Sequence, residues 1–457
     1  MAGIGFELRK LLQGKDMNNK FWGYTSATFI TSGPMLISIG QLLIIDKILS
    51  ISHVLPADRA VIKAALLYAY VFSMIMSSGF VMLSSRFIAD KIFTKELDDI
   101  LPSLLGTVSI ALIFGGSLGV IFYMQSPLTF LQKYFAYMIY MSLITIYVIM
   151  GYVSAIKNYK MVMLSFGSGI ITTLIFVLIF FNTGVHMVTA TLAGIFIGYL
   201  VNIAILLVAM MEYFEFSGGN VFAFLPYFKK YYKLFLINLF YTMGLFVHNM
   251  VFWKFSILKA GVGGTFVYAP QYDMATFFAV LGTIPASVIF ITRFETAFYE
   301  RYREFCRVII DNGNLKELMS AKEKMLDTLK KEFKFLIQMQ LIITALMIVL
   351  GVYVVLPLYI KDPITVDIYS FLAIGFFASY SSFLLIVVLI YFDIQSEALI
   401  AASSFFILST LLSFLDIKLG IPFYGLGYSL ASLMTFAISL YFVNREVSTI
   451  DYRMFSQ

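Results

Sequence analysis

The sequence predicts an all-α polytopic membrane protein with twelve transmembrane helices in two six-helix lobes around a central cavity. Three observations predict this class: the composition, twelve apolar runs and the distribution of Lys and Arg. Of the 457 residues, 60% are hydrophobic and 13% are charged, whereas soluble domains are about 45–50% apolar and about 25% charged. A soluble core does not need so many apolar residues, but a bilayer does. We therefore expect a multi-pass protein of the cytoplasmic (inner) membrane, surrounded by membrane lipids.

The apolar runs have the length of membrane spans. A helix needs roughly 20 apolar residues to cross the hydrocarbon core of a bilayer. We number the predicted spans 1 to 12 in chain order: 22–46, 62–84, 101–123, 134–156, 161–181, 186–211, 231–253, 271–292, 336–358, 367–391, 397–415 and 421–443. All of the external loops between them are short, which leaves no room for an extracytoplasmic domain.

Basic residues give the orientation. With the N-terminus inside, the cytoplasmic segments hold 24 Lys and Arg and the external segments hold 8. The loop before span 9 contributes 10 of these, and without it the count of 14 against 8 has the same sign. Because Lys and Arg concentrate on the cytoplasmic side of membrane proteins, both the N- and the C-terminus are predicted to be cytoplasmic.

The spans and the polar segments between them divide the chain into consecutive parts. These are an amphipathic N-terminal interfacial helix at 1–21, an N-lobe of spans 1–6 at 22–211, a cytoplasmic inter-lobe linker at 212–230, spans 7 and 8 at 231–292, a cytoplasmic helical hairpin at 293–335, spans 9–12 at 336–443 and a C-terminal tail at 444–457. Two halves of six spans are typical of transporters built from two repeats.

The segment before span 1 has one apolar face when it is wound as a helix. Leu8 and Leu12 lie on that face with Ile4 and Leu11, and charged residues lie opposite. Such a helix can lie in the membrane interface or contact a partner. The alternative is a simple ordered cap at the N-terminus.

Spans 1 and 7 carry polar residues at comparable depth. In span 1, Thr31 and Ser32 precede Gly33 and Pro34. A proline removes a helix hydrogen bond and kinks the helix, and the freed carbonyl must find a partner in protein or in a water-lined cavity. Interrupted, polar spans at corresponding places in two halves indicate a transporter's central path.

Span 7 supplies the matching set in the second half. Asn238, Thr242, His248 and Asn249 recur along one apolar run. We interpret the pair of spans as lining a substrate path, although polar groups also hold membrane helices together without touching a substrate. His248 has no acidic neighbour in sequence, so a structural, hydrogen-bonded histidine is favoured over a proton-transfer site.

Charged residues near the spans are few, since each costs about 2.5–3.5 kcal/mol at the bilayer centre. Asp273 follows a proline at the start of span 8, so it is predicted to be an N-cap. The alternative is a polar group at the external mouth of the cavity. Arg86, Lys254 and Arg293 flank spans and are candidates for substrate contact, although anchoring of the topology explains each of them equally well.

Several classes of function are excluded by what the sequence lacks. Its three histidines are far apart, its single cysteine excludes an internal disulfide framework, and we find no catalytic, metal or cofactor motif. The net charge of +6 is too modest to indicate nucleic-acid binding. We therefore expect neither an enzyme nor a nucleic-acid-binding protein.

The long loop after span 8 predicts two amphipathic helices joined at a DNGN break. Phe294, Phe298 and Tyr302 form one apolar stripe, and Leu326 and Leu329 belong to a second. The hairpin either lies on the inner leaflet or serves as a docking platform for a cytosolic partner, with Leu326 and Leu329 as exposed positions.

Four stretches of the chain resemble one known family. They are MAGIGFELRKLL at the N-terminus, ITSGP in span 1, YDMATFFAVLGTIPASVIFITRFETAFYERY across span 8, and GIPFYGLGYSLAS at the start of span 12. They are similar to the PelG family, the membrane transporters of the Pel exopolysaccharide system. That family belongs to the multidrug/oligosaccharidyl-lipid/polysaccharide (MOP) exporter superfamily.

The resemblance implies an activity and partners that the residues alone do not. It implies export of a polysaccharide rich in N-acetylgalactosamine through a cleft that opens alternately to each side of the inner membrane. It also implies assembly with a cytosolic glycosyltransferase (PelF), the cyclic-di-GMP receptor PelD and the scaffold PelE. An amphipathic N-terminus that is typical of the family favours an interfacial or partner-contacting helix.

Three other functions compete with this one. A MATE-like multidrug/cation antiporter would need a buried acid for coupling, and no convincing carboxylate lies deep in spans 1–6. A membrane enzyme that builds glycans would need larger external loops. A non-transporting scaffold for a polysaccharide synthase is compatible with the sequence, because the polar residues could hold helices together.

Overall fold

Long apolar helices make up most of the chain in the computed structural model. The structure describes residues 38–156, 159–215, 218–311, 313–359 and 362–448. Within these residues, eleven helices are long and apolar enough to cross a membrane. They coincide with predicted spans 2 to 12. Of predicted span 1, residues 38–46 are described and are helical, and this helix continues to residue 51.

Most of the helices are longer than the predicted spans, and they extend beyond them at one end or at both ends. Spans 2 to 6 occupy Pro56–Thr94, Ile100–Met124, Phe130–Ile156, Tyr159–Asn182 and Met187–Met211. Spans 7, 10, 11 and 12 occupy Tyr232–Phe255, Pro363–Tyr391, Gln395–Leu419 and Leu426–Ser448. Several helices begin with a proline in the first turn, where its missing N–H costs nothing.

Spans 8 and 9 are interrupted. Span 8 consists of Pro270–Leu281 and Ile284–Ile289, followed by a π-helix, Phe290–Glu295. Pro285 has no N–H to donate to the Leu281 carbonyl four residues earlier, and the nearby Gly282 carbonyl accepts a hydrogen bond of 3.1 Å from the Gln340 side chain of span 9. Span 9 ends in a second π-helix, Gly351–Val355, and a last turn, Leu356–Tyr359.

The predicted helical hairpin is present. Its first arm is Thr296–Ile310, and its second arm is the beginning of a single helix, Leu315–Leu350, that continues into span 9. Asn314 and Glu317 form a capping box at the start of the second arm, and this defines the turn. The predicted boundary between hairpin and span at residue 335 is therefore not a break in the helix.

A β-hairpin that the sequence analysis did not predict lies between spans 7 and 8. Its strands Ala260–Val262 and Phe266–Tyr268 pair antiparallel, with Val262 opposite Phe266. Gly263 and Gly264 in the turn have φ of +59° and +61°, a conformation that glycine adopts without strain. We use the term β-hairpin end for the side of the bundle that carries this element.

The two halves of the described chain pack their helices in corresponding pairs. In the first half, spans 2 and 4, 4 and 6, and 5 and 6 pack together; in the second, 8 and 10, 10 and 12, and 11 and 12 do so. Spans 7 and 11 also pack, and the corresponding contact between spans 1 and 5 includes a hydrogen bond from Gln41 to Thr173.

The segment between the halves is attached to the first half. The Asp99 carboxylate accepts a 3.0 Å hydrogen bond from the Asn220 backbone N–H, and Phe224 is buried. A short helix, Leu225–Lys230, leads into span 7. The described part of the predicted linker therefore packs against the helices of the first half.

Asp416 organises the start of span 12. Its buried carboxylate accepts hydrogen bonds from the backbone N–H groups of Gly425 and Gly427, at 3.1 and 2.8 Å. Gly425 has φ of +93°. This carboxylate therefore accepts hydrogen bonds from N–H groups at the start of the helix that have no partner within it.

Candidate substrate path between the two halves

Spans 2 and 7 pack against each other where the two halves meet. Phe80 and Phe235 meet edge to face with ring centroids 5.2 Å apart, and the Asn238 side chain donates a 2.7 Å hydrogen bond to the Ser78 carbonyl. A side chain at Gly79 would collide with the Phe235 ring. Asn238 is thus a predicted path residue that lies at the boundary between the halves.

The β-hairpin end closes with aromatic rings and hydroxyls. Tyr68 of span 2 stacks on Trp253 of span 7, with centroids 4.8 Å apart, and its hydroxyl donates to the Val267 carbonyl at 2.7 Å. The hydroxyls of Ser126 and Thr265 share a hydrogen bond of 2.7 Å. Both hydrogen bonds join the first half to the β-hairpin of the second.

The opposite end of spans 2 and 7 closes with a cation over an aromatic ring. The Arg86 guanidinium lies 5.1 Å from the centroid of Tyr231 and forms an ion pair with Asp90, with Nε 3.3 Å from the carboxylate. Phe87 meets Tyr227 edge to face. Arg86 therefore lies at the end of the interface, where it joins the halves, and not at its centre.

His248 and Asn249 point into the second half rather than toward the first. His248 is fully buried; its Nε2 donates to the Leu245 carbonyl, and its Nδ1 shares a 2.7 Å hydrogen bond with the Tyr272 hydroxyl. Its ring lies 4.1 Å from that of Tyr428. These contacts agree with the interpretation of His248 as a structural residue. Thr242, one turn and a half earlier, is also buried.

Asp273 is not the N-cap of span 8, because the helix begins at Pro270 and Ala269 is the capping position. Its carboxylate accepts hydrogen bonds from Trp253 Nε1 at 2.9 Å, Asn249 Nδ2 at 2.8 Å and the Ala269 N–H at 2.9 Å. The prediction that Asp273 is the N-cap is therefore wrong. Asp273 lies in the first turn of the helix, and its carboxylate joins span 8 to span 7. Donors surround both of its oxygens.

The other two flanking cations lie outside the boundary between spans 2 and 7. Lys254 is exposed at the β-hairpin end, with its ammonium 5.5 Å from the Phe255 ring. The Arg293 guanidinium packs on Phe335 at 3.8 Å and lies 3.4 Å from the Glu332 carboxylate. Arg293 thus connects span 8 to the helical hairpin.

The remaining predicted path residues are not described. Thr31, Ser32 and Pro34 of predicted span 1 lie outside the described residues, and so do Leu8 and Leu12, which were predicted to contact a partner. Of the two spans predicted to line the path, span 7 is therefore the one whose candidate residues have described contacts.

The aromatic stripe of the helical hairpin faces the protein itself. Phe294 and Phe298 are 1% and 0% exposed, and the Tyr302 hydroxyl donates to the Tyr391 carbonyl at 3.1 Å. Leu329 is 6% exposed and Leu326 is half-buried. The prediction that Leu326 and Leu329 are exposed positions is wrong, because the two arms pack their apolar faces together and against the turn between spans 10 and 11.

Sequence reasoning missed a polar cluster in the first half. Gln41 donates to Thr173 at 3.1 Å, Asn202 is buried, and the hydroxyls of Tyr70 and Tyr199 are hydrogen-bonded. A glutamine and an asparagine inside long apolar runs were the available signal. Among the described residues of the first half, no Asp or Glu is buried. Nor do the described residues hold a group of three or more His, Cys, Asp or Glu that could bind a metal.

Comparison with solved structures shows the fold. A multidrug resistance MATE family transporter of the MOP superfamily in an outward-facing conformation has a TM-score of 0.61 and 14% identity, covering 97% of this chain and 98% of that one. A MOP superfamily transporter from Pyrococcus furiosus, described with a binding pocket of reverse polarity, has a TM-score of 0.58 and 12% identity over 97% and 98%. An inward-facing MATE family transporter has a TM-score of 0.55 and 11% identity over 99% of each chain.

Comparison of sequences shows the family. No curated protein compared with the chain matches it. The family model described as "PelG: Putative exopolysaccharide Exporter (EPS-E)" matches residues 1–455. The match spans almost all of the 457 residues and agrees with the transporter fold of the MOP superfamily. The chain therefore belongs to the PelG family, a family of membrane exporters and not of enzymes.

Proposed function

We propose that this chain exports an exopolysaccharide rich in N-acetylgalactosamine across the cytoplasmic membrane, along a path between two six-helix lobes. The observation that carries the proposal is the character of the boundary between the halves. Between the Arg86–Asp90 pair at one end and the β-hairpin end, it is built from hydroxyls, an amide and aromatic rings, as at Tyr68, Asn238 and Trp253. Such groups suit a polymer of uncharged sugar rings, whose polar edges need hydrogen bonds and whose faces are apolar.

The corresponding helix pairs of the two halves support the two-lobe arrangement. Spans 2, 4 and 6 pack as spans 8, 10 and 12 do. Two structural repeats with a substrate site between them are the general plan of many secondary transporters. In this arrangement the contacts of spans 2 and 7 separate at one end at a time, and both termini lie in the cytoplasm.

A cation-coupled multidrug antiporter is the second candidate, favoured by the fold of the solved structures. Such coupling commonly uses an ionisable residue inside the membrane. In the described part of the first half, the buried polar residues are hydroxyls and amides such as Thr173 and Asn202. The described acid at the start of span 8, Asp273, is already held by three different donor residues. This supports polysaccharide export over drug antiport.

We also propose that the helical hairpin contacts the cytosolic synthesis machinery: the glycosyltransferase PelF, with PelD and PelE. The contact surface is the tip, where apolar residues remain exposed. Ile310, Leu315 and Met319 are 75%, 68% and 57% exposed. The aromatic stripe of Phe294, Phe298 and Tyr302 supports this surface from behind and does not form it.

The experiment that tests export measures polysaccharide on both sides of the membrane. Cells lacking the chain should synthesise labelled polymer and retain it, and cells supplied with the chain should secrete it. Equal secretion with and without the chain contradicts the proposal. Equal drug resistance in both strains would reject the antiporter, whereas a drug-specific change with unaltered secretion would favour it.

A further inference from the structure

We propose that a pocket at the β-hairpin end, between span 3 and the β-hairpin, is a subsite for one or more uncharged sugar rings of the exported polymer. The inference rests on the proposed function, because the subsite would bind the polysaccharide during its export. The pocket is open and has a volume of about 430 Å³. This is within the usual range of ligand pockets, roughly 300–1,000 Å³.

Both halves of the protein contribute to this pocket. Phe122, Gln125 and Ser126 come from the end of span 3 and the residues after it, and Gly264 and Thr265 come from the turn of the β-hairpin. The pocket therefore lies where the first half meets the second. A group bound there contacts both halves at once, as a substrate passing between them must.

An aromatic ring gives the pocket one flat apolar wall. Phe122 is 37% exposed, and its ring stacks on Tyr68 with centroids 5.5 Å apart and planes at 29°. Tyr68 in turn stacks on Trp253. Because it is backed by two further rings, the Phe122 ring is held in place. The electron-rich face of such a ring attracts the weakly positive C–H groups on the face of a sugar.

Polar groups stand beside this ring. The Gln125 side chain is exposed and makes no hydrogen bond with another described residue, so its amide offers two donors and an acceptor. The Ser126 and Thr265 hydroxyls bond to each other at 2.7 Å, Ser126 also accepts from the Leu128 N–H, and Thr265 also donates to the Gly263 carbonyl. Each oxygen therefore retains one lone pair as an acceptor for a ligand. An amide and hydroxyls beside an aromatic face are suited to sugar hydroxyl and acetamido groups.

Charge argues against an ionic ligand. None of the residues that line the pocket is charged. The nearby Lys133 ammonium donates to the Ser126 backbone carbonyl at 3.0 Å, on the span 4 side. A phosphate or carboxylate bound among the lining residues would therefore leave water without a charged partner in that lining, which is unfavourable. The pocket suits a neutral sugar rather than a phospholipid headgroup or an acidic polymer.

The test is a binding titration with the full chain in phosphatidylcholine nanodiscs. A Trp22→Phe background leaves Trp253, the third ring of the stack, as the single tryptophan to report binding by fluorescence. The probes are an N-acetylgalactosamine tetrasaccharide and, for comparison, a uronic acid tetrasaccharide. We expect the neutral probe to bind and the acidic probe to bind about tenfold more weakly or not at all. Equal binding of both, or no binding of the neutral probe, overturns the proposal.

Variants locate the binding. We expect Phe122→Ala and Gln125→Ala each to weaken the neutral probe about tenfold, the scale of one aromatic or polar contact. The matched control is Phe114→Ala, two turns earlier on the same span and 63% exposed, which should bind like the parent. Gel filtration checks that each variant is folded. Because Gln125 is exposed, its replacement by Ala should not disturb the packing of the protein. Unchanged binding in both variants overturns the proposal. A fluorescence change in phosphatidylglycerol nanodiscs, without a change on addition of the sugar, would show that the pocket binds lipid and would also overturn the proposal.

Export measured in the same variants separates this inference from the function it rests on. If deletion of the chain stops secretion and Phe122→Ala binds normally, the subsite is rejected and the function stands. If the neutral probe binds as expected and deletion leaves secretion unchanged, the function is rejected and the site remains a sugar site.

Discussion

Ring contacts and a few hydrogen bonds connect the two halves, and Asn238 makes the hydrogen bond that lies between the two ends of spans 2 and 7. Its donor reaches the Ser78 carbonyl across the boundary. Hydrogen bonds between membrane helices average about 0.6 kcal/mol. We expect Asn238→Ala to leave folded yield unchanged and to alter the rate of export, because the halves then separate more easily.

The matched control for that variant is Ser168→Ala, whose half-buried side chain forms its described hydrogen bonds only within its own helix. Secretion and detergent-solubilised yield are measured for both. Identical secretion by Asn238→Ala and the parent would show that this bond has no role in the transport cycle.

Asp273 holds the β-hairpin end together, and its removal has a predictable cost. Asp273→Ala leaves Trp253 Nε1, Asn249 Nδ2 and the Ala269 N–H without their acceptor. Each buried unsatisfied donor costs about 1–3 kcal/mol. We expect a clear fall in the thermal unfolding temperature, and a smaller fall for Asp273→Asn, which retains one carbonyl acceptor. An unfolding temperature equal to that of the parent would contradict this role.

At the residue scale, the sequence shows which polar side chains stand out within an apolar span, but it does not show which neighbouring helix each of them contacts. Asn238 and Asn249 are eleven residues apart on span 7, yet one crosses to Ser78 and the other turns inward to Asp273. The choice depends on which helices pack on each face of span 7. That information is long-range, and a single sequence does not contain it.

At the scale of elements, the helical hairpin has a buried face and an exposed tip. Phe298 contacts Tyr391 and Phe392 in the turn between spans 10 and 11. Truncation of a buried phenylalanine costs about 3–5 kcal/mol. We expect Phe298→Ala to reduce folded yield, measured by gel filtration after solubilisation.

The exposed tip provides the matched comparison. Replacing Leu315 and Met319 together by Asp should leave yield unchanged and reduce co-purification of the glycosyltransferase, since these side chains are 68% and 57% exposed. Full yield for Phe298→Ala would contradict its packed position, and undiminished recovery of the glycosyltransferase would move the docking surface elsewhere.

The elements themselves follow from the sequence to different degrees. Span 6 was predicted within one residue, because its long apolar run leaves few alternatives. The β-hairpin was not predicted, since Ala260–Val262 and Phe266–Tyr268 are too short for a period of two to stand out. The break of span 8 at Gly282 and Thr283 depends in part on Gln340 of span 9, which is distant in sequence.

At the scale of the whole molecule, the orientation is a prediction of the Lys and Arg distribution. In a Cys306→Ser background, cysteines at Lys316 and Lys324 should be shielded from membrane-impermeant thiol reagents in intact cells. A cysteine at Lys259, exposed next to the β-hairpin, should be labelled. The reverse pattern of labelling would place the termini outside.

The central claim is that the exported polymer passes between the two halves, and a reversible lock tests it most directly. Ser126→Cys with Thr265→Cys, in a Cys306→Ser background, places two thiols where hydroxyls now lie 2.7 Å apart. Oxidation should join the halves at the β-hairpin end, and mass spectrometry of the linked peptides measures how completely it does so. We predict that secretion by the double variant falls to background on oxidation and returns on reduction, while secretion by either single cysteine variant does not change on oxidation or reduction. Fully cross-linked protein that still secretes polysaccharide at the parent rate would contradict the claim.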